Sequence, residues 1–282
     1  MLYFNFTLLI IALLVSCKTN SEKTDQSYSL PEGYSLSNVH EIFLNQELRE
    51  ISGIAWQNGR LLAIEDESSV IFRLDSKTGK ILEKQKFEKN KDIEDILIRN
   101  DTAWVLRSNG NLYRVIEFLT DTQETIIFDF PISQSRDLEA IASPAGGSVI
   151  FLFCKVCEWD EGPEKVSVFR FSLESMEFDT EPYHVIHRSQ LKSVLSKKWK
   201  DVKMQPSAAA YHPLTGELYL ISSTGKWLMT LDSDWNPTSF HWLNPRLFKQ
   251  PEGITFDDSG NLYISNEADS GNANILLFPY QR

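Results

Sequence analysis

The fold is decided near the C-terminus, in Gln250-Pro251-Glu252-Gly253-Ile254-Thr255-Phe256-Asp257-Asp258-Ser259-Gly260-Asn261-Leu262-Tyr263-Ile264-Ser265-Asn266-Glu267. Two short apolar runs flank a turn built from Asp, Ser, Gly and Asn, which is the signature of a hairpin. One carboxylate, Glu252, opens the first run and another, Glu267, closes the second. Four other stretches carry the same phrase, at residues 48–67, 91–110, 135–155 and 204–224. Taking the residue equivalent to Glu252 as a marker gives Ser52, Glu94, Glu139, Ser207 and Glu252, spaced by 42, 45, 68 and 45 residues.

A period near 45 residues with tightly joined strands fits one four-stranded propeller blade. A sandwich would not need the same phrase five times. A third strand follows most hairpins, as in Val70-Ile71-Phe72-Arg73-Leu74 and Trp227-Leu228-Met229-Thr230-Leu231. After Glu252 only 30 residues remain, enough for three strands, so residues 37–44 are expected to supply the fourth and close the ring. The expected fold is an all-β propeller of five blades, with six as the alternative if the long interval hides another. That interval holds residues 187–203, where Leu191, Val194, Leu195, Trp199 and Val202 fall at helical spacing opposite a lysine-rich face. A surface helix is expected there, able to cap the ring or to dock an acidic partner through Lys192 to Lys203.

Residues 1–16 are uncharged and apolar, too short for a comfortable transmembrane span and suited to a signal peptide. They run into Leu14-Val15-Ser16-Cys17, which resembles a bacterial lipobox with Cys17 as the lipidated residue. Polar residues 17–33 then read as a flexible tether, and residues 34–282 as the propeller domain. The expected location is the bacterial cell envelope, with a membrane anchor through the lipid and Lys18 favouring the outer membrane. The net charge of −11 argues against nucleic acid, whose phosphates need a cationic footprint, and is compatible with cations.

The ordered set Ser52-Gly53-Ile54-Ala55, Glu65-Asp66-Glu67, Leu138-Glu139-Ala140-Ile141-Ala142, Pro251-Glu252-Gly253-Ile254 and Asp258-Ser259-Gly260-Asn261-Leu262-Tyr263-Ile264-Ser265-Asn266-Glu267 resembles the SdiA-regulated (YjiK-like) family of bacterial envelope proteins. The resemblance runs from about residue 48 to 278 and implies a β-propeller with a calcium site and no assigned activity. Ser207-Ala208-Ala209, where a Gly is more usual, and Arg107-Ser108, where acids are frequent, depart from its pattern.

First strands of propeller blades line the central channel. The markers should therefore gather at one mouth with the ends of the second strands. That places Glu94, Glu139, Glu252 and Glu267 as candidate metal ligands, and Ser52, Glu65, Asp66, Arg107, Lys155 and Ser207 around them. Clustered carboxylates repel unless neutralised. A hard cation such as Ca²⁺ could do so, or the bases Arg107 and Lys155. Alternatively each Glu accepts backbone N–H groups of the next blade and locks blade to blade. Two functions follow: a binding or scaffold propeller with an envelope protein or small ligand as partner, or a metal-dependent esterase, lactonase or phosphoesterase. No nucleophile elbow, HExxH or phosphate loop occurs. The five histidines lack metal-ligand spacing. Cys154 and Cys157 form a lone CxxC. A local disulfide is possible, but residues three apart on a strand point to opposite faces, and two free thiols are as compatible with the pattern.

Overall fold

The computed structural model describes residues 27–268 and 271–281. The signal segment, Cys17 and the tether up to residue 26 lie outside the described residues. Strand β1 (His40–Phe43) precedes five antiparallel meanders. Blade 1 is β2 (Ile51–Gln57), β3 (Arg60–Glu65), β4 (Val70–Asp75) and β5 (Ile81–Lys86). Blade 2 is β6 (Ile93–Arg99), β7 (Thr102–Arg107), β8 (Leu112–Ile116) and β9 (Glu124–Phe128). Blade 3 comprises β10 (Arg136–Ala142), β11 (Val149–Cys157) and β12 (Lys165–Ser172), and its outer edge is split into β13 (Glu177–Phe178) and β14 (His184–His187). Blade 4 is β15 (Ala208–Tyr211), β16 (Leu218–Ser222), β17 (Trp227–Leu231) and β18 (Pro237–Trp242). Blade 5 is β19 (Pro251–Phe256), β20 (Leu262–Asn266), β21 (Asn274–Phe278) and, on its outside, β1. The chain is a five-bladed β-propeller, as the repeat predicts.

Turn chemistry sets the hairpins. Asn58 and Gly59, between β2 and β3, both have positive φ (49° and 78°), the conformation a two-residue hairpin turn requires. Alternation along the strands then buries apolar side chains between blades rather than in one central core. Five clusters result, one at each blade-to-blade face. The ring closes through the cluster between blades 5 and 1, where Ile42 and Leu44 meet Leu61, Phe72 and Ile275. β1 pairs antiparallel with β21, Ile42 facing Ile275. First and last segments of the domain are thereby joined in one sheet.

The five first strands form the inner ring. β2 lies between β19 and β6, β10 between β6 and β15, and β15 contacts β19. Their approach is close. A Cβ added at Gly53 would lie 2.9 Å from Asp95 Cα, so glycine is required there.

Two expectations are corrected. The insertion forms two short 3₁₀ segments, Arg188–Ser193 and Trp199–Asp201, instead of one helix. Lys198, in the left-handed region at φ 62°, interrupts the chain between them. Its apolar positions still do what their spacing indicates: Leu191, Val202 and Trp199 pack on the cluster between blades 3 and 4. The insertion thus braces that face. Residues 28–33, read from the sequence as the end of the tether, lie against the propeller in part, with Leu30 and Pro31 buried and Tyr28, Ser29 and Glu32 exposed. Tyr28 bridges Trp242, and Leu30 is buried between blades 4 and 5. No helix among the described residues is long and apolar enough to cross a membrane.

If β1 closes the ring by packing as well as by pairing, its one buried side chain should dominate. Ile42 is 5% exposed and Phe43 is 59% exposed. Ile42→Ala is expected to cost about 2–5 kcal/mol, and Phe43→Ala at most about 0.5 kcal/mol. Urea denaturation of the two variants checks this, and equal effects would contradict it.

Candidate functional site: an acid pocket on the propeller axis

Four of the five inner strands open with an irregularity. In β2 the register jumps from Ile51 to Gly53, in β6 from Ile93 to Asp95, in β10 from Leu138 to Ala140 and in β19 from Pro251 to Gly253. The skipped residues are Ser52, Glu94, Glu139 and Glu252, which are the sequence markers. In blade 4, Ser207 donates its N–H to the carbonyl of Ile221, the residue that faces Ala208. A β-bulge leaves its extra residue out of the ladder and re-aims its side chain. Here the four bulged markers are re-aimed at the axis.

The result is a polar cavity of about 200 Å³ lined by Glu50, Ile51, Ser52, Asp66, Glu94, Glu139, Lys155, Ser207, Glu252 and Glu267. It gathers all four expected metal ligands, together with Ser52, Asp66, Lys155 and Ser207. Glu65 and Arg107 do not line it. Glu65 faces Ile51 and Arg107 faces Ile93 in the ladders, one residue before the pocket position. Because side chains alternate, an offset of one residue sends both to the opposite face. Glu65 turns back to accept the N–H of Glu67, and Arg107 lies by Tyr113. The pocket position itself is filled by Asp66, Lys155 and Glu267.

Lys155 is the one basic side chain among the lining residues, and it pairs with Glu139. Glu252 accepts a hydrogen bond from the Ser223 side chain. Two polar atoms of the wall, Ser52 Oγ and Asp66 Oδ1, are buried with no partner. Ser52 is 7% exposed.

The carboxyls are driven toward their neutral forms. Burial, then the charges of Glu139, Asp92 and Asp137, push Glu94 up to about 10. Burial raises Glu139 to about 8, with Glu252 and Asp137 adding to the rise and Lys155 opposing it. Asp66 goes to about 6 through burial and the neighbouring Glu50 and Glu65. Glu252 rises through burial, and Glu267 through burial and its hydrogen bond to Glu50. Lys155 is raised in turn by Glu139, against the effect of burial.

The blade-locking role expected of the glutamates belongs to another residue. Asp95, 2% exposed, accepts the N–H of Ile96 and, across the blade boundary, that of Ile141, both at 2.8 Å. Among the described residues, Glu94, Glu139 and Glu252 accept no backbone N–H from a neighbouring blade. Ser207 Oγ donates to the Pro251 carbonyl at 2.6 Å, linking blades 4 and 5. Sequence reasoning missed Asp95. Its signal was an Asp directly after a marker, at the position that is Gly in blades 1 and 5 and Ala in blades 3 and 4.

The two cysteines are joined in a disulfide, with Cα atoms 6.0 Å apart. Val156 faces Asp137 and Cys154 faces Leu138, so Lys155 is an extra residue in β11. That bulge removes one step of alternation and puts Cys154 and Cys157 on the same face, inside the core between blades 2 and 3. The parity argument against a disulfide fails for this reason.

Groups whose pKa is higher folded than unfolded bind more protons in the native state, so their ionisation weakens it. Without a cation, stability should fall as pH rises from about 4.5, the ordinary Glu value, through about 8, with Glu94 extending the decline toward 10. Melting temperatures at pH 5, 7 and 9 in chelator check the sign; a flat or rising profile would contradict it.

No curated protein matches the chain. Among solved structures, a glutaminyl cyclase of Myxococcus xanthus aligns with 9% identity and TM-score 0.54 over 86% of this chain and 97% of that one. A PQQ-bound aldose sugar dehydrogenase of Streptomyces coelicolor aligns with 12% identity and TM-score 0.50, over 86% and 98%. A protein of unknown function from Bacteroides thetaiotaomicron aligns with 12% identity and TM-score 0.50 over 80% of this chain and 53% of that one, about half its length. At these identities the likeness establishes the fold alone. The family model described as SdiA-regulated matches residues 38–270, from just before β1 to the end of β20 and beyond, and the chain belongs to the SdiA-regulated family.

Proposed function

We propose that the protein is a binding propeller of the bacterial envelope, anchored through Cys17, whose axial pocket takes a divalent cation, with Ca²⁺ the first candidate. The observation that carries this reading is the convergence of Glu94, Glu139, Glu252, Glu267 and Asp66 on one small cavity with Lys155 as the only base lining it among the described residues. Carboxylates so placed must be protonated, paired or bound to a cation. Hard oxygen donors suit Ca²⁺, which tolerates variable coordination numbers and completes its shell with water. Ser52 Oγ and Asp66 Oδ1 are further unpartnered groups in the same wall.

The donors fit a cation by chemistry, and their spacing limits how it is held. Among the described residues, the acids of this pocket do not bring three ligand atoms within 4.8 Å of one another; Cys154, Cys157 and Asp160 are the group that does. Those cysteine sulfurs are already bonded to each other. An ion in the pocket would therefore meet one or two carboxylates directly, or more after side-chain rotation. An affinity weaker than that of a fully formed cage is expected.

Elemental analysis of the purified protein, with melting curves in Ca²⁺ and in chelator, tests the reading. About one equivalent of calcium and a rise of several degrees are expected. Glu252→Gln should weaken the Ca²⁺ response at least tenfold, and Glu94→Gln should raise the melting temperature in chelator at neutral pH by removing a buried carboxyl that has to take up a proton on folding. No metal, no shift in Ca²⁺ and no change in either variant would overturn it.

A further inference from the structure

We propose that the cleft between blades 4 and 5 is a sugar-binding site, which takes one pyranose ring on the hydroxyl groups of Tyr219, Thr230 and Ser239, a row of residues that face one another across β16, β17 and β18. The site is separate from the axial pocket and does not rest on the cation reading. Ser207 stands at the axial end of β15, whereas Thr215 and Glu217 lie in the turn that joins its far end to β16.

The cleft coincides with a break in the repeat. One position of the third strand is Arg73 in blade 1, opposite Leu62, Arg114 in blade 2, opposite Trp104, and Arg170 in blade 3, opposite Phe151. Each arginine lies along its own blade. Arg73 pairs with Glu83, Arg114 sits over the Trp104 ring at 5.9 Å, and Arg170 binds Asp179 at 2.8 Å. In blade 5 the position is Leu277, which packs on the cluster between blades 5 and 1. In blade 4 it is Thr230, opposite Tyr219. Where three blades place a long side chain, blade 4 places a short one, and a cavity of about 310 Å³ lies there, its wall completed by Pro31, Gly33 and Tyr280.

The wall is hydroxylic and hydrogen-bonded in one direction. Thr238 Oγ1 donates to Glu217 Oε1 at 2.8 Å, so it accepts from Thr230 Oγ1, 2.6 Å away, and Thr230 in turn accepts from Ser239 Oγ at 2.7 Å. Ser239 accepts from His241 Nε2–H at 2.9 Å. Burial lowers His241 to about 4 and keeps it neutral, so its Nδ1 accepts from Ser29 Oγ at 2.8 Å. Each wall hydroxyl has thus committed its one proton and keeps a lone pair for a ligand donor. Tyr219 supplies the opposite. It is 2% exposed, and its hydroxyl has no hydrogen-bond partner among the described residues. Burial, then Glu217 and Tyr280, raise its pKa, which sets the hydroxyl beside two residues of the wall and keeps it protonated as a donor.

Sugar hydroxyls both donate and accept, and so match both kinds of group. Among the described residues no Lys, Arg or His lines the cavity, so a phosphate or carboxylate would enter without a counter-charge. Glu217 is already engaged by the hydroxyls of Thr238 and Thr215. The volume lies at the small end of ligand pockets, which run from about 300 to 1,000 Å³, and suits a single ring.

Saturation-transfer NMR on the purified protein tests the site, with glucose, galactose, mannose and N-acetylglucosamine, each as the free sugar and as its methyl glycoside. At least one is expected to bind with a millimolar or tighter Kd. Binding of the free sugars alone assigns a free monosaccharide, and binding of the methyl glycosides assigns the end of a glycan chain. Thr230→Arg, which restores the residue of blades 1 to 3 and fills the cavity, should weaken binding at least tenfold. Tyr219→Phe keeps the ring and should weaken binding about fivefold. Melting curves show that each variant is folded, and if Thr230→Arg is not, Tyr219→Phe decides. No transfer to any of these sugars, or the same Kd in the unmodified chain and the folded variants, would overturn the proposal.

Discussion

The structure depends on a crowding of acidic side chains that closure of the ring brings about. Each blade contributes one residue at the start of its inner strand, and in blades 1, 2, 3 and 5 that residue falls out of the ladder. Alone, such a bulge would aim a polar side chain into water at little cost. Arranged around an axis, the five residues share one cavity. Three of the five are glutamates, and Glu50, Asp66 and Glu267 add to them. The ring brings the acids together, and their repulsion has to be offset by the packing of the blade faces, by protonation, by Lys155 or by a ligand.

The rest of the fold supports that arrangement. Five apolar clusters, one per blade boundary, supply the burial that holds the ring together. Gly53 lets β2 lie against Asp95, and Asp95 in turn binds the N–H of Ile141 in blade 3. β1 closes the circle, so the axis is enclosed on all sides. Function and stability pull against each other in the pocket, where groups that could bind a cation weaken the protein that lacks one.

Much of this was legible in the sequence because repetition is a strong signal. The marker spacing near 45 residues identified the blades, the number of blades and the residues that meet at the axis. What was not legible was parity. A repeat shows which positions correspond, yet the face a side chain takes depends on every bulge before it. Glu65 and Arg107 were assigned to the mouth because they sit beside Asp66 and Ser108 in the motif, and a one-residue offset places them elsewhere. The same blindness hid the disulfide: spacing three in a strand argues against a bond until the Lys155 bulge is known. The residues of the insertion were read correctly as an apolar face, and Lys198 with its positive φ decided that it would not be one helix.

The central claim is that the axial acids hold protons which a cation displaces. Calorimetric titration of Ca²⁺ at pH 7, repeated in buffers of different ionisation heat, counts those protons directly. The account predicts saturable binding that releases at least one proton, because Glu94 and Glu139 are raised to about 10 and about 8 when no cation is present. Binding with no proton release, or no binding at all, would contradict it.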